Sequence, residues 1–213
     1  MKPDGDRVQY VYKLQKLLVE KVITPNSIYL DIGCGPGYVA KYIYGKAKLV
    51  VGIDIDDPSG GLRGNALKLP FADNTFDVIS SYAMLYLVGF GRDKQVLAEI
   101  NRVLKPGGHA VLVIQGKPNL NAFYWRWWYQ KYKNVKLNCY TLYEAKRLTK
   151  GLFAEREFHA LGVTDIPRPG WVFPKLFHRN FGPDLDYFLS NLPLLRWFAP
   201  NYYFILQKTV PAV

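Results

Sequence analysis

Short apolar runs alternate with amphipathic segments along most of the chain. Seven runs rich in Val, Ile, Leu, Phe and Tyr end at glycines, acids or other turn residues, as buried strands do; they cover residues 27–32, 49–53, 62–67, 76–81, 109–115, 153–161 and 202–208. Apolar residues at helical spacing predict helices over residues 7–23, 38–44, 92–104 and 119–136. Strands that alternate with helices predict a parallel sheet covered on both faces, so the fold class is α/β.

Local signals mark the places where this regular pattern changes. Thr141 and Glu144 form a capping-box pattern, which predicts a helix that begins there and ends at Gly151. Residues 162–201 contain six prolines, too many for a sheet, so this stretch is predicted to form irregular loops and short helices.

The composition fits one globular domain over residues 1–213. Apolar residues make up 49% of the chain and charged residues 21%, enough to bury a core. No apolar stretch approaches the ~18 residues that cross a bilayer, and the first ten residues lack the apolar core of a secretory signal. Two cysteines cannot build a disulfide framework or a zinc site of four thiolates. We therefore expect a cytoplasmic protein without a metal centre.

A glycine-rich turn carries the strongest chemical signal. Residues 30–40 read LDIGCGPGYVA and residues 50–56 read VVGIDID, so three glycines lie between a predicted strand and a predicted helix. Glycines let the backbone pass close to a ligand, and the N-terminus of the helix offers unpaired N–H donors. Asp54 ends the second strand, where a carboxylate can accept both hydroxyls of a ribose in a doubly wound fold. A tight turn that binds nothing is disfavoured, because strand, helix and acid all stand at the expected places.

The spacing of the glycines narrows the class of ligand that the turn can bind. A dinucleotide fingerprint requires a small residue at position 38, where Tyr38 stands, and the phosphate-binding GxxxxGK[ST] pattern is absent. No basic residue accompanies the glycines to bind phosphate. The pattern therefore favours a nucleoside ligand without a pyrophosphate, of which S-adenosylmethionine is an example.

Four segments, residues 30–37, 50–54, 64–77 and 98–108, resemble in order and spacing the class I S-adenosylmethionine-dependent methyltransferases, and most closely their small-molecule and lipid branch. The resemblance covers residues 25–115. It implies a Rossmann-like, doubly wound, mostly parallel seven-stranded sheet with an antiparallel last strand. It further implies S-adenosyl-L-methionine as cofactor and S-adenosyl-L-homocysteine as product. Residues 25–115 then hold the cofactor, and residues 116–150 and 162–201 form an aromatic cap that faces the substrate.

The resemblance also assigns roles to matching positions. Cofactor contacts are implied for Asp31, Gly33, Cys34, Gly35, Gly37, Asp54, Ile55, Asn65, Ala66, Leu67, Ser81 and Tyr82. The glycine loop lies under the methionine and ribose, Asp31 holds the ammonium end through water, and Asp54 binds the ribose hydroxyls. Ile55 and residues 65–67 frame the adenine, while Ser81 and Tyr82 lie near the transferable methyl. Family members usually carry Asp at position 65 and many carry His at position 86, where this chain has Asn65 and Tyr86.

A general base is required if the acceptor is a hydroxyl or an acidic carbon, and the candidates are His178, His159 and Tyr82. Cys34, at a helix N-terminus, has the position of a reactive thiol, but a small residue tolerated in a tight loop is the favoured interpretation. The signatures of cysteine-dependent C5-methylation and of exocyclic-amine methylation are both absent, which disfavours those nucleic-acid reactions.

Charge and aromatic residues concentrate in the second half of the chain. Residues 1–114 carry a net charge of +3 and residues 115–213 one of +8, and all five tryptophans follow residue 114. Three interpretations of residues 122–133, AFYWRWWYQKYK, stay open: a lid on an apolar pocket, an interfacial membrane element, or a nucleic-acid surface.

An apolar wall over residues 171–198 favours a hydrophobic small-molecule or lipid-like acceptor, methylated at oxygen or carbon. Peripheral membrane contact is compatible with this acceptor, and nucleic acid is the less favoured partner. The alternatives are an RNA methyltransferase and a non-catalytic S-adenosylmethionine-binding protein. The oligomeric state stays open.

Overall fold

The computed structural model describes residues 5–56, 61–82, 84–89, 91–117, 120–162 and 183–209. The strands are β1 (Ile28–Ile32), β2 (Leu49–Asp54), β3 (Leu62–Arg63), β4 (Phe76–Ser81), β5 (Leu104–Gln115), β6 (Phe153–Leu161) and β7 (Asn201–Lys208). The helices are α1 (Gly5–Glu20), α2 (Ala40–Ile43), α3 (Asp93–Val103), α4 (Leu120–Lys133), α5 (Leu142–Thr149) and α6 (Pro183–Asn191), followed by a 3-10 helix (Leu195–Phe198).

The seven strands of the described residues join one sheet in the order β3-β2-β1-β4-β5-β7-β6. Strands β1 to β5 pair in parallel, while β7 lies antiparallel between β5 and β6. Strand β1 lies between β2 and β4, so the chain adds strands first on one side of β1 and then on the other. In such sheets ligands bind at the carboxyl ends of the strands, at this switch point. The predicted doubly wound, mostly parallel sheet with an antiparallel last strand is confirmed.

The sheet separates two apolar layers. Helices α3 and α5 contribute to the layer on one face, which includes strand residues such as Ile79 and Leu112, both fully buried. On the other face α1 contributes Leu18 and Val19 to a cluster that includes Tyr29 and Tyr203. Side chains alternate between these faces along each strand, so the central strands are apolar on both sides, as a parallel sheet covered by helices requires.

Several elements differ in extent from the sequence prediction. Strand β3 has two residues instead of the predicted run over 62–67, because the side chain of Asn65 accepts a hydrogen bond from the Leu67 N–H (2.9 Å) and turns the chain. Strand β5 begins at Leu104 instead of residue 109, since its pairing with β4 continues across an irregularity between Phe76 and Val78. Helix α2 is four residues long, shorter than the predicted 38–44.

The signals at the other termini agree with the structure. Thr141 and Glu144 form both hydrogen bonds of a capping box at the start of α5. In the proline-rich stretch, α6 and the 3-10 helix are short helices as predicted, and residues 163–182, with His178, lie outside the described residues. None of the helices within the described ranges is long and apolar enough to span a bilayer.

Candidate functional site

The glycine-rich turn follows β1 at the switch point. Gly33, Gly35 and Gly37 all have positive φ angles, +74°, +47° and +77°. The turn is fixed by hydrogen bonds from the Gly33 N–H to the Ile53 carbonyl (2.8 Å) and from the Gly37 N–H to the Cys34 carbonyl (2.8 Å). Only glycine adopts these backbone angles without strain, which explains the sequence pattern.

The two sides of this loop have different surroundings. A Cβ atom added to Gly35 would have no atom within 4 Å, so this part of the loop borders open space. A Cβ added to Gly33 would lie 2.7 Å from the Cβ of Met84, so the segment after β4 covers the loop there. The loop therefore forms an open cradle beside Gly35, with a wall at Met84.

Asp54 ends β2 with its carboxylate against the loop. One carboxylate oxygen accepts the Gly35 N–H (2.8 Å) and the other accepts the Asp56 N–H (3.1 Å). Each oxygen keeps a further lone pair. The side chain that is predicted to bind a ribose thus also holds the loop in place and still has capacity to accept hydroxyl donors.

Asp31, on β1 directly before the loop, is almost fully buried. The Ser80 hydroxyl donates to its carboxylate (2.9 Å) and in turn accepts from the Tyr29 hydroxyl, 2.6 Å away. Burial raises the pKa of Asp31 to about 6; hydrogen bonds from Ser80 and the Ala40 N–H oppose this, and the charge of Asp54 adds to it. No Lys or Arg of the described residues pairs with this carboxylate, so the site favours a cationic group from a ligand.

The serine that contacts Asp31 is Ser80, a residue that the sequence analysis did not single out; its neighbour Ser81 is the serine predicted to lie near the transferable methyl. In the parallel register Asp31 stands opposite Ser80, and Ile32 stands opposite Ser81. Paired residues share a face, so Ser80 lies on the side of Asp31 and Ser81 on the other. The buried Ser81 hydroxyl has no hydrogen-bond partner among the described residues, which leaves it able to bond a ligand at the strand end.

The predicted adenine side of the site lies after β2. Ile55 is 62% exposed although it is apolar, which suits a side chain that a bound ring would cover. Asn65 is exposed, and its side-chain oxygen accepts from the Leu67 N–H (2.9 Å), so one further lone pair remains for an amino group. Ala66 and Leu67 are half-buried next to it.

Three tyrosine rings meet beside the glycine-rich turn. The Tyr12 ring of α1 lies 4.9 Å from that of Tyr38 and 4.7 Å from that of Tyr82, measured between centroids. Burial, together with the neighbouring Tyr38 and Asp31, raises the pKa of Tyr12 to about 12. Sequence reasoning assigned Tyr12 to the apolar face of the first helix and missed its place at the site, since α1 is remote in sequence from the loop.

Tyr86 closes the site on the side of α4. Burial, with Tyr129 and Tyr12 nearby, raises its pKa well above the ordinary value. The Asn138 N–H, in the segment after α4, donates to the Tyr86 carbonyl (3.0 Å) and fixes the backbone there. Tyr86 is therefore a neutral hydrogen-bond donor at physiological pH, unlike the basic histidine that stands at this position in many proteins of the family that the sequence resembles.

The thiol of Cys34 is not activated. Burial, then the charges of Asp31 and Asp54, raise its pKa to about 11, against the lowering expected at a helix N-terminus. Its sulfur faces β2, because a Cβ added to Gly52 would lie 2.9 Å from it. These contacts support the interpretation of Cys34 as a small residue in a tight loop.

His159 stands apart from the loop. It lies on β6, four strands from β1, roughly 19 Å across the sheet. Its Nδ1 contacts the Tyr187 hydroxyl (2.5 Å) and its Nε2 contacts the Glu157 carboxylate (2.6 Å), which also pairs with Lys21, the residue after α1. This cluster joins α1, α6 and β6, so Tyr82 is the one candidate base that the described residues bring to the loop.

The arrangement can hold a cationic nucleoside. It combines a glycine cradle, a ribose-side carboxylate, a buried carboxylate without a cation partner, an exposed apolar shelf and aromatic rings. Within the described part of the chain, no three potential metal ligands come together.

Comparison with known proteins gives a consistent result. A protein-family model described as a methyltransferase domain matches residues 30–112. A demethylmenaquinone methyltransferase of Lactiplantibacillus plantarum is 30% identical over 164 residues, which are 61% of this chain and 66% of that protein. An uncharacterized methyltransferase of Synechocystis is 29% identical over 114 residues, 48% of this chain and 53% of that protein. The chain thus spans about half to two thirds of the length of these curated relatives.

Solved structures extend the likeness to the whole fold. A S-adenosylmethionine-dependent methyltransferase from Mesorhizobium loti superposes with a TM-score of 0.63 at 16% identity, covering 93% of this chain and 98% of that one. The YcgJ protein of Bacillus subtilis gives a TM-score of 0.64 at 14% identity, covering 94% and 100%. The sequence matches and the shared sheet agree: residues 30–112 match a methyltransferase domain, and the whole sheet has the fold of S-adenosylmethionine-dependent methyltransferases.

Proposed function

We propose that the protein transfers a methyl group from S-adenosyl-L-methionine to a hydrophobic small-molecule or lipid-like acceptor, at oxygen or carbon. The observation that carries the proposal is the pair of carboxylates, Asp31 and Asp54, at an open glycine loop where no described cation neutralises Asp31. A cationic nucleoside fits both carboxylates at once.

Each group of the loop has a task in binding. Asp54 would accept the ribose hydroxyls while it holds the Gly35 N–H. Asp31, ionised above its pKa of about 6, would attract the ammonium end of the cofactor. Ile55 and residues 65–67 would border the adenine. When bound, S-adenosylmethionine supplies an electrophilic methyl group, and S-adenosylhomocysteine is released as product.

The acceptor class follows from the groups around the loop. Tyr12, Tyr82, Met84 and Tyr86 border it, and rings and thioethers bind apolar, flat molecules by contact area. Matched relatives from Lactiplantibacillus plantarum and Bacillus cereus are named demethylmenaquinone methyltransferases, and such an acceptor falls within the proposed class. Held in line with the methyl group, a reactive acceptor gains on the order of 7–11 kcal/mol from alignment alone.

A base is required only for a weakly acidic acceptor. Tyr82 is the candidate next to the loop, 4.7 Å ring to ring from Tyr12. His178 stays a candidate on sequence grounds, and His159 is disfavoured by its distance from β1. We further infer that residues 25–115 hold the cofactor and that residues 116–150 and 162–201 select the acceptor. The two unpaired cysteines, Cys34 and Cys139, agree with a cytoplasmic location.

The direct test uses S-adenosylmethionine with a labelled methyl group. The protein is added to a cell extract, which is then separated into lipid, small-molecule, protein and nucleic-acid fractions. We expect label in the lipid or small-molecule fraction with the native protein and with Asp73→Ala, an exposed carboxylate away from the loop. Asp54→Ala should transfer no label and bind no cofactor. Cofactor affinity that survives Asp54→Ala would contradict the site.

RNA methylation is the second candidate, favoured by the net charge of +11. Label in the RNA fraction would support it. Binding to RNA should weaken steeply as salt rises, because counterions are released, whereas binding of an apolar acceptor should not.

A further inference from the structure

Helix α4 exposes aromatic side chains to solvent. Trp127 is 47% exposed and Tyr132 is 58% exposed, and their rings lie 6.0 Å apart in an edge-to-face arrangement. Trp and Tyr combine an apolar body with a polar tip, so they are the residues that settle at the boundary between water and a hydrocarbon layer.

A lysine lies between these rings. The Lys131 ammonium is 4.9 Å from the centre of the Trp127 ring and 5.3 Å from that of Tyr132. We call Trp127, Lys131 and Tyr132 the α4 face. Its cation stays beside the rings that would enter a lipid headgroup layer, where it can meet anionic groups.

All the charged residues in the segment around α4 are basic. Residues 116–143 contain five Lys and Arg and not one Asp or Glu, whereas the rest of the chain holds all 17 acids. A segment of this length with basic residues and without acids gives a local positive potential. Its complement is an anionic surface.

A second group of exposed apolar residues lies in the segment that precedes β7. Leu194 is 80% exposed, and Phe198, at the end of the 3-10 helix, is 55% exposed. The chain then enters β7, where the Gly116 N–H donates to the Pro200 carbonyl (2.7 Å), so this segment and the segment leading to α4 meet at the carboxyl end of β5.

The other side of α4 borders the proposed site. Tyr129 lies close enough to Tyr86 to affect its titration, and the Asn138 N–H bonds the Tyr86 carbonyl (3.0 Å). One helix thus touches the acceptor side of the loop with one face and exposes aromatic and basic groups with the other.

We propose that the α4 face docks the protein on the surface of an anionic lipid bilayer, with the acceptor side of the site towards the membrane. The contact is peripheral: rings enter the headgroup layer and Lys131 pairs with lipid phosphate. That an apolar acceptor reaches the site from this bilayer rests on the proposed function, while the docking itself does not.

The test is flotation of the full chain with vesicles of phosphatidylcholine, with and without phosphatidylglycerol. The variant Lys131→Glu/Tyr132→Ala alters the α4 face. Its matched control is Tyr44→Ala/Lys48→Glu, which makes the same changes of charge and ring on exposed residues between α2 and β2, at the amino ends of the parallel strands and therefore away from the carboxyl end of β5. Binding of S-adenosylmethionine, measured by calorimetry, reports on the proposed function separately.

We expect the native protein to float with the anionic vesicles, and more weakly with phosphatidylcholine alone. The α4 variant should lose about tenfold or more in partitioning, while the control and the cofactor affinity of both variants stay unchanged. An equal loss in both variants would assign the effect to net charge and overturn the proposal. Absence of flotation by the native protein would overturn it too, as would RNA binding lost in the α4 variant without vesicle binding.

Discussion

Replacing Asp31 by Asn should change the stability of the cofactor-free protein in a pH-dependent way, and the variant should gain stability relative to the native protein as the pH rises. Burial raises the pKa of Asp31 from the ordinary 3.8 to about 6. The folded protein therefore holds the carboxyl proton more tightly than the unfolded chain does. Ionised Asp31 lowers the free energy of unfolding above pH 6, and this penalty disappears as the pH falls towards the unfolded pKa.

The two pKa values set the size of the effect. A difference of about two pH units corresponds to about 3 kcal/mol at pH 8. About half of that develops between pH 5 and pH 8, the range in which the measurement is practical. The side-chain oxygen of Asn still accepts from the Ser80 hydroxyl, but its NH2 group faces the Ala40 N–H, and two donors cannot bond each other. The lost hydrogen bond costs about 1–3 kcal/mol of stability. That cost does not vary with pH, so it cancels when one variant is followed across the pH range.

The assay is urea unfolding of the native protein and Asp31→Asn at pH 5 and pH 8 without cofactor. We expect the stability of the variant, relative to the native protein, to rise by about 1.5 kcal/mol from the lower pH to the higher. Its affinity for S-adenosylmethionine should fall, because the ammonium loses its carboxylate. A relative stability that is flat or falls with rising pH would refute the assignment of Asp31 as a buried, unpaired carboxyl.

Asp77→Asn provides a control of opposite sign. Burial raises the pKa of Asp77, but hydrogen bonds from the Lys105 ammonium (2.8 Å) and the Ile28 N–H (2.9 Å) outweigh this, so its pKa is lowered. The ionised carboxylate is the stabilising form here, and its contribution is lost as the pH falls through the lowered pKa. Asp77→Asn should therefore lose stability relative to the native protein at pH 8.

Three further substitutions test the site and the sheet. Gly35→Ala places its methyl group in open space, so we expect about 1–2 kcal/mol of backbone strain and no steric clash within the protein. The methyl group would occupy space intended for the cofactor, so the cofactor dissociation constant should rise roughly tenfold or more. Calorimetry that finds equal affinity would contradict the assignment of this loop as the cofactor cradle. Gly116→Ala places a Cβ 2.0 Å from the Ala199 carbonyl oxygen and should lower stability by about 2–3 kcal/mol, measured by thermal unfolding; an unchanged melting temperature would be inconsistent with this β5–β7 join. His159→Gln should cost about 1 kcal/mol of stability through the lost Tyr187 bond and leave the pH profile of methyl transfer intact; a shifted profile would restore His159 as a base.

The sheet could be predicted well from the sequence because most of the sequence signals for strands and helix starts are local. Apolar runs that end at turn residues predict all seven strands, and the Thr141–Glu144 pattern predicts the start of α5 through two hydrogen bonds that both form. The glycine spacing and Asp54 are likewise contiguous along the chain, so the loop and its carboxylate could be found together. The Gly35 N–H bond to Asp54 joins residues that only 19 positions separate.

The features that were missed depend on contacts between distant segments. The contact between Ser80 and Asp31 was missed because it depends on the β1–β4 register, which two short apolar runs do not specify. Tyr12 reaches the loop only because α1 packs across the sheet, and a tyrosine on an apolar helical face looks the same whether it faces a core or a site. A pattern along one segment carries no information on either point.

The place of β7 has a consequence for how the protein is made. It is the last strand in chain order, yet it lies between β5 and β6, and its residues from Tyr202 to Leu206 are almost fully buried. During synthesis on the ribosome, β5 therefore has an unpaired edge, and β6 has no neighbouring strand, until residues 201–208 have emerged. Unpaired edges invite self-association, so nascent chains stalled before this point are natural clients for chaperones, and their fate depends on how fast the codons between β6 and the end of β7 are translated.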